Sequence, residues 1–180
     1  MNPAWTLRTG RLLLTPIGGQ DLADFRAIAG DPRVFAVMLG GVRDPVRAAD
    51  DLARFVIAWG RCGYGIWAIR EPDNRHRFLG IVGLEDRPDG RGTGLRFALW
   101  PEAQGRGLAR EAAWAALRFG HDQAGLRRIV AVARETNVGS RTVLGCIGMH
   151  EAETFTQNGY CMVLYESVSG PAVRTVPGVP

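Results

Sequence analysis

The sequence predicts a mixed α/β fold, a largely antiparallel sheet of about seven strands flanked by helices. Three observations predict it. Strand-like runs at residues 64–70, 77–86 and 93–99 are joined by turns rich in Pro, Asp, Asn and Gly, which reads as an antiparallel meander. The run 93–99 is followed by a helical pattern and then by the apolar run 128–133, a strand, helix, strand unit that favours parallel pairing. The runs 150–156 and 160–166 flank Gln157-Asn158-Gly159 and read as a closing hairpin.

The other elements follow in order. Residues 11–16 read as the first strand, and Asp21 can cap a helix through Phe25 to Ala29. Pro32 opens a short helical turn. Pro45 stands where a first helical residue often does, and Val46, Ala49, Leu52, Ala53, Val56 and Trp59 recur at helical spacing until Gly60 and Gly63 end the pattern. A second long helix, from about Gly107 to Gln123, puts Leu108, Ala112, Ala115 and Phe119 on one face. Residues 140–147 form a short helix. From Val168 the Gly, Pro and Val tail reads as unstructured, which leaves residues 1–167 as one domain and 168–180 as a flexible tail.

At 180 residues and 46% apolar content the chain fits a single domain with a substantial core. No apolar run approaches the roughly 20 residues that span a bilayer, and the first residues lack the pattern of a signal peptide, so a cytoplasmic protein without a membrane partner is expected. All 22 basic residues are arginine, and the net charge of +4 is spread without a dense basic block. That argues against nucleic acid as a partner and suits an anionic ligand. Cys62, Cys146 and Cys161 are odd in number and widely spaced, suggesting neither disulfides nor a metal site. Buried thiols are expected, Cys146 packing into the core.

The junction between the run ending at Trp100 and the helix beginning near Leu108 reads Gln104-Gly105-Arg106-Gly107-Leu108-Ala109. The first N–H groups of a helix lack partners inside it, and glycines let a ligand approach the main chain, so a diphosphate fits there; the alternative is a tight turn and nothing more. A P-loop is excluded, because the chain has no lysine. A dinucleotide fingerprint fits poorly. Gly107 is followed by Ala109 and Arg110, the motif lies past mid-chain, and the positions near Val130 are apolar.

Gln104, Gly107 and Ala109 resemble the Gln/Arg-x-x-Gly-x-Gly/Ala loop of the GNAT acetyltransferases. The segment from Asn137 through Ser140 to Gly148-Met149 resembles that superfamily's second signature, and Thr9-Gly10-Arg11-Leu12-Leu13-Leu14, Trp67-Ala68-Ile69, Gly80-Ile81-Val82-Gly83-Leu84 and Val163-Leu164-Tyr165 extend the similarity over almost the whole chain. Together they point to the ribosomal-protein N-terminal acetyltransferase branch. The resemblance implies the GNAT fold, with a splayed cleft between the fourth and fifth strands, here 93–99 and 128–133. It implies acetyl-CoA as co-substrate, without a metal, and an amine acceptor that is a protein N-terminus or a small molecule. The acetyl-CoA contacts it implies are Phe97, Ala98, Leu99, Gln104, Gly105, Arg106, Gly107, Leu108, Ala109, Arg110, Asn137, Ser140 and Arg141. The protein is expected as a monomer or homodimer.

Transfer of an acetyl group to an amine needs a neutral amine, a polarised thioester carbonyl and a proton for the leaving thiolate. The resemblance implies direct attack in a ternary complex, with no covalent enzyme intermediate. Many superfamily members protonate the thiolate with a tyrosine seven residues after the motif asparagine; Leu144 stands there. Ser140 then becomes the candidate hydroxyl, or alternatively a helix cap, and Asn137 the amide that holds the pantetheine arm or acetyl carbonyl. Branch members often carry a glutamate where Gly94 stands, so Glu85, Asp86 and Glu135 are the candidate bases, with Glu85 foremost. A substrate amine of low pKa needs none. Phe35, Met38, Trp59 and Trp67 are core residues or the lining of an acceptor pocket. A non-catalytic acyl-CoA-binding module is the alternative that Gly94 and Leu144 keep open.

Overall fold

The computed structural model describes residues 2–38 and 40–170. An eight-stranded sheet runs through it, made of β1 (Leu7–Arg8), β2 (Leu13–Pro16), β3 (Ile66–Glu71), β4 (Asn74–Asp86), β5 (Thr93–Leu99), β6 (Arg128–Arg134), β7 (His150–Gln157) and β8 (Tyr160–Val168). The spatial order is β1-β2-β3-β4-β5-β6-β8-β7. Every neighbouring pair is antiparallel except β5 and β6. The helices are α1 (Leu22–Ala29), α2 (Pro32–Phe35), α3 (Pro45–Cys62), α4 (Leu108–Asp122) and α5 (Val138–Cys146).

Period-two alternation sends side chains to two separate cores. One face carries Trp67, Ile69, Val82, Leu84, Leu95, Leu99, Ile129 and Ala131 against Leu108, Ala112, Ala116 and Phe119 of α4 and Leu144 of α5. The opposite face carries Ile66, Ala68, Ile81 and Ala98 against Phe25 and Ile28 of α1, Phe35 of α2 and Leu52 and Phe55 of α3. Helix α3 begins where Pro45 and its neighbour foretell: the Asp44 side chain accepts the N–H groups of Val46 and Arg47, both at 2.9 Å, and Gly63 at φ 73° closes it.

Several expectations change. The edge strand β1 makes eight strands rather than seven, so the expected fourth and fifth strands are β5 and β6. Asp21 precedes α1 without capping it, because its carboxylate accepts the Gly18 N–H at 2.8 Å and pairs with Arg70. Val168 is not tail: it pairs with Arg128, and Ser169 donates to the Arg127 carbonyl, so the sheet runs past residue 167. The rest of that segment, 171–180, lies outside the described residues. All three cysteines are exposed. Cys146 ends α5 two residues past the inward-facing Leu144, about 200° around the helix, and so turns away from the core. Phe35, Trp59 and Trp67 are buried core residues, while Met38 reaches a cleft.

Candidate functional site

The cleft begins where two strands part. β5 and β6 meet in parallel at Gly94 and Val130, whereas the other edge of β5 stays paired with β4 from Asp86–Thr93 to Gly80–Leu99. Gly80 makes the close approach at the far end possible, since a Cβ there would lie 2.2 Å from the Ala98 carbonyl oxygen. β6 is likewise held on its other side by β8. The facing edges of β5 and β6 therefore offer backbone N–H and C=O groups to a ligand that lies between them as a strand would. A cavity of about 390 Å³ opens there, lined by Phe97 and Arg96 of β5, Ala131 to Arg134 of β6, Glu85 to Arg87, Asn137, Ser140, Leu144 and Tyr160. Ala98 and Leu99 have buried side chains and meet a ligand only through their main chain.

Beyond β5 the glycine-rich loop leads into α4. Gln104 Nε2 donates to the Leu99 carbonyl at 2.9 Å, which pins the loop to the strand. Gly105 and Gly107 both take left-handed backbone angles, φ 71° and 75°. Gly107 precedes α4 without a side-chain cap, and the first bond within the helix runs from the Glu111 N–H to the Gly107 carbonyl. The N–H groups of Leu108, Ala109 and Arg110 thus point out of the helix start, where its dipole favours an anion. Arg11 holds the loop from outside, Nη1 donating to the Arg106 carbonyl at 2.8 Å and Nε to Glu111 at 2.7 Å. That role for the Thr9-Gly10-Arg11 segment was invisible in sequence, because Glu111 lies 100 residues away. Arg106 contacts Glu71 at 3.2 Å, and Arg110 is exposed.

At the opposite wall, Asn137 Oδ1 accepts the Ser140 N–H at 3.1 Å. Asn137 is the cap of α5, and the Ser140 hydroxyl makes no hydrogen bond within the described residues. Leu144 completes the wall one turn on, leaving Ser140 as the hydroxyl on this helix that lines the cleft. Arg141 is engaged within the protein. Its guanidinium donates to the Tyr165 hydroxyl at 3.1 Å, the Glu135 carbonyl at 3.0 Å and Glu151 at 2.9 Å, so it ties α5 to the β7–β8 hairpin. Hydrogen bonds from Tyr165, first, and Arg141 hold the Glu151 carboxyl below the usual carboxylate range.

The candidate bases separate by their partners. Glu85 lines the cleft, yet Oε1 accepts from Arg54 at 3.2 Å and Oε2 from Arg96 at 2.8 Å, so both oxygens are engaged. Asp86 Oδ1 accepts from Tyr64 and Thr93, both at 2.9 Å, and Oδ2 has no partner among the described residues. Glu135 sits outside the cavity lining. At Gly94 the Arg87 arm fills the place of a side chain, a Cβ there meeting Arg87 Cγ at 2.9 Å. Burial of the Tyr64 hydroxyl, first, and its bond to Asp86 push its pKa up.

Sequence reasoning missed Arg96, Arg134 and Tyr160. Arg134 lies 3.7 Å from the Tyr160 ring centroid and donates to the Ala36 carbonyl at 3.1 Å, joining β6, β8 and the segment after α2 at the cleft mouth. Only strand order brings these three elements together.

The description of a GNAT acetyltransferase domain matches residues 11–150. Among solved structures, an acetyltransferase from Agrobacterium tumefaciens is 24% identical over 91% of this chain and 94% of its own, with a TM-score of 0.80. A GNAT-family acetyltransferase from Bordetella pertussis is 25% identical over 89% and 98%, with a TM-score of 0.78. The ribosomal-protein-S5-alanine acetyltransferase of Vibrio fischeri is 16% identical over 91% and 96%, with a TM-score of 0.75, a likeness of fold. With the family's domain matched over most of its length and the splayed sheet in place, the chain belongs to the GNAT acetyltransferase family and is an acetyl-CoA-dependent acyltransferase.

Proposed function

We propose that this enzyme moves the acetyl group of acetyl-CoA to a primary amine, a protein N-terminal α-amino group or a small-molecule amine, by direct attack in a ternary complex. The amine nitrogen attacks the thioester carbonyl carbon, the carbon–sulfur bond breaks, the thiolate takes a proton and the new amide nitrogen loses one. The observation that carries the reading is Ser140, which lines the cleft and whose hydroxyl, without a hydrogen-bond partner among the described residues, can donate to sulfur. Around it, the free edges of β5 and β6 suit the amides of the pantetheine arm, and the amides of residues 105–110 suit the diphosphate. Residues 1–167, extended by the end of β8, form the single domain of this proposal.

Proton removal from the amine falls to Asp86 through water in this reading, because Asp86 lines the cleft with its Oδ2 unengaged among the described residues while both Glu85 oxygens are held by arginine. An α-amine, with a pKa of about 7.7 to 8.0, also supplies a large neutral fraction near pH 7.5 without help. Release of CoA thiol measured across peptides, amino acids, polyamines and aminoglycosides tests the proposal. Amine-dependent release with at least one class is expected. Tight acetyl-CoA binding with no amine-dependent release across the panel would overturn it in favour of a binding module.

A further inference from the structure

Five charged side chains form one line from α3 to the cleft. Arg43 Nε meets Asp51 Oδ2 at 2.7 Å, Arg54 Nη2 meets Asp51 Oδ1 at 2.5 Å, Arg54 Nη1 meets Glu85 Oε1 at 3.2 Å, and Arg96 Nη1 meets Glu85 Oε2 at 2.8 Å. Three cations alternate with two anions along the line. Its last member is Arg96, which lines the cavity.

Arg96 Nε and Nη2 are shielded from solvent and have no hydrogen-bond partner among the described residues. These two donors form the side-on edge of the guanidinium, whose parallel N–H bonds match the two oxygens of a carboxylate. A desolvated guanidinium edge without an acceptor is costly, and few such groups persist in folded proteins. The side chain is 17% exposed and lines the cavity, although these two nitrogens are themselves covered. The place is informative as well. Arg96 follows Gly94, the last residue of β5 paired with β6, by two positions, about 7 Å along the strand. It also lies on the α1–α3 face with Ala98, whereas the glycine-rich loop enters α4 on the opposite face. The guanidinium is therefore remote from the phosphate-binding end, on the face of the sheet away from α4.

We propose that the acceptor is an amine that also carries a carboxylate, and that Arg96 turns from Glu85 on acceptor binding and holds this carboxylate through Nε and Nη2. This rests on the N-acetyltransferase reading above. The carboxylate belongs to a free amino acid or to an acidic residue next to a peptide N-terminus, and the test separates these sources.

In the wild-type enzyme, kcat/KM is measured for phenylalanine, its amide and phenethylamine, and for paired tripeptides with Asp or Asn at the second position. A preference of about 10-fold to 100-fold for the acid member of one set is expected, with the set naming the source, as for a charged hydrogen bond. Arg96→Ala should abolish that preference, and Arg96→Lys should restore only part of it. KM for acetyl-CoA should stay unchanged in both variants, which separates loss of acceptor recognition from loss of the fold. Equal use of acid and neutral members in both wild-type sets overturns the carboxylate proposal, as does an undiminished preference in folded Arg96→Ala. Absence of turnover with every amine instead overturns the underlying transferase reading.

Discussion

Asn137 accepts the Ser140 N–H at 3.1 Å, so the asparagine caps α5 while the serine hydroxyl has no hydrogen-bond partner among the described residues. In the proposed mechanism the two residues of one motif carry separable duties. Ser140→Ala should keep the melting temperature within about 1 °C, since a change well under 0.5 kcal/mol is ordinary where no bond is lost. Its kcat and kcat/KM should fall together, by about 10² to 10⁴ if a general acid has been removed. Normal kcat in this variant would remove the serine from the mechanism.

Asn137→Ala should behave in the opposite sense. Losing the cap exposes an unsatisfied N–H and costs about 0.5–2 kcal/mol of stability, read by denaturant unfolding. Rescue of stability by Asp at this position, with turnover still lowered, would assign the remaining defect to the asparagine Nδ2.

Gly107 at φ 75° would strain any side chain through its backbone rather than by collision, because the nearest heavy atom to a Cβ there is Arg11 Nη2 at 3.5 Å. Gly107→Val should cost about 1–2 kcal/mol and raise the Kd for acetyl-CoA by disturbing the amides that face the diphosphate. Calorimetry showing wild-type affinity in the folded variant would separate the loop from cofactor binding. Arg11→Ala should weaken acetyl-CoA in the same assay, by releasing the Arg106 carbonyl and Glu111.

Arg110 and Arg141 should part company. Arg110 is exposed beside the start of α4, so Arg110→Ala should weaken acetyl-CoA, and by more than dephospho-CoA if it meets the 3′-phosphate. Arg141 has its donors on Tyr165, Glu135 and Glu151, so Arg141→Ala should lower the melting temperature with little change in Kd. A large rise in Kd for Arg141→Ala at unchanged stability would return it to the cofactor site.

Acid should loosen the arginine–carboxylate line. Burial works to raise the Asp51 pKa, but hydrogen bonds from Arg43 and Arg54 outweigh it and hold the group below its ordinary 3.8. A folded-state pKa depressed in this way adds stability that is fully present above the unfolded value and is lost as pH falls through the folded one. Melting temperature should therefore drop as pH goes from 5 to below about 4, and Asp51→Asn, less stable at pH 7, should show a shallower drop. Equal acid sensitivity in the two proteins would mean that Asp51 does not contribute to it.

Local chemistry determined much of this protein. Pro45 and Gly63 bound α3, the apolar runs in residues 77–86 and 93–99 between turn residues make paired strands, and Gln104 to Ala109 marks the loop into α4, because caps, turns and apolar runs act over a few residues. Asn137 and Ser140 were legible as a pair for the same reason, though not which of them caps. Tertiary structure decided what depends on residues distant in sequence. Strand β5 places the Arg96 guanidinium beside Glu85 and over Phe55, Arg141 finds Tyr165 on β8, and Arg134 finds Ala36, 98 residues away. An arginine reads the same in sequence whether it meets a phosphate or a buried carboxylate. Its partner is chosen by strand order and by the cost of leaving a charge unpaired, and both exist only once the chain has folded.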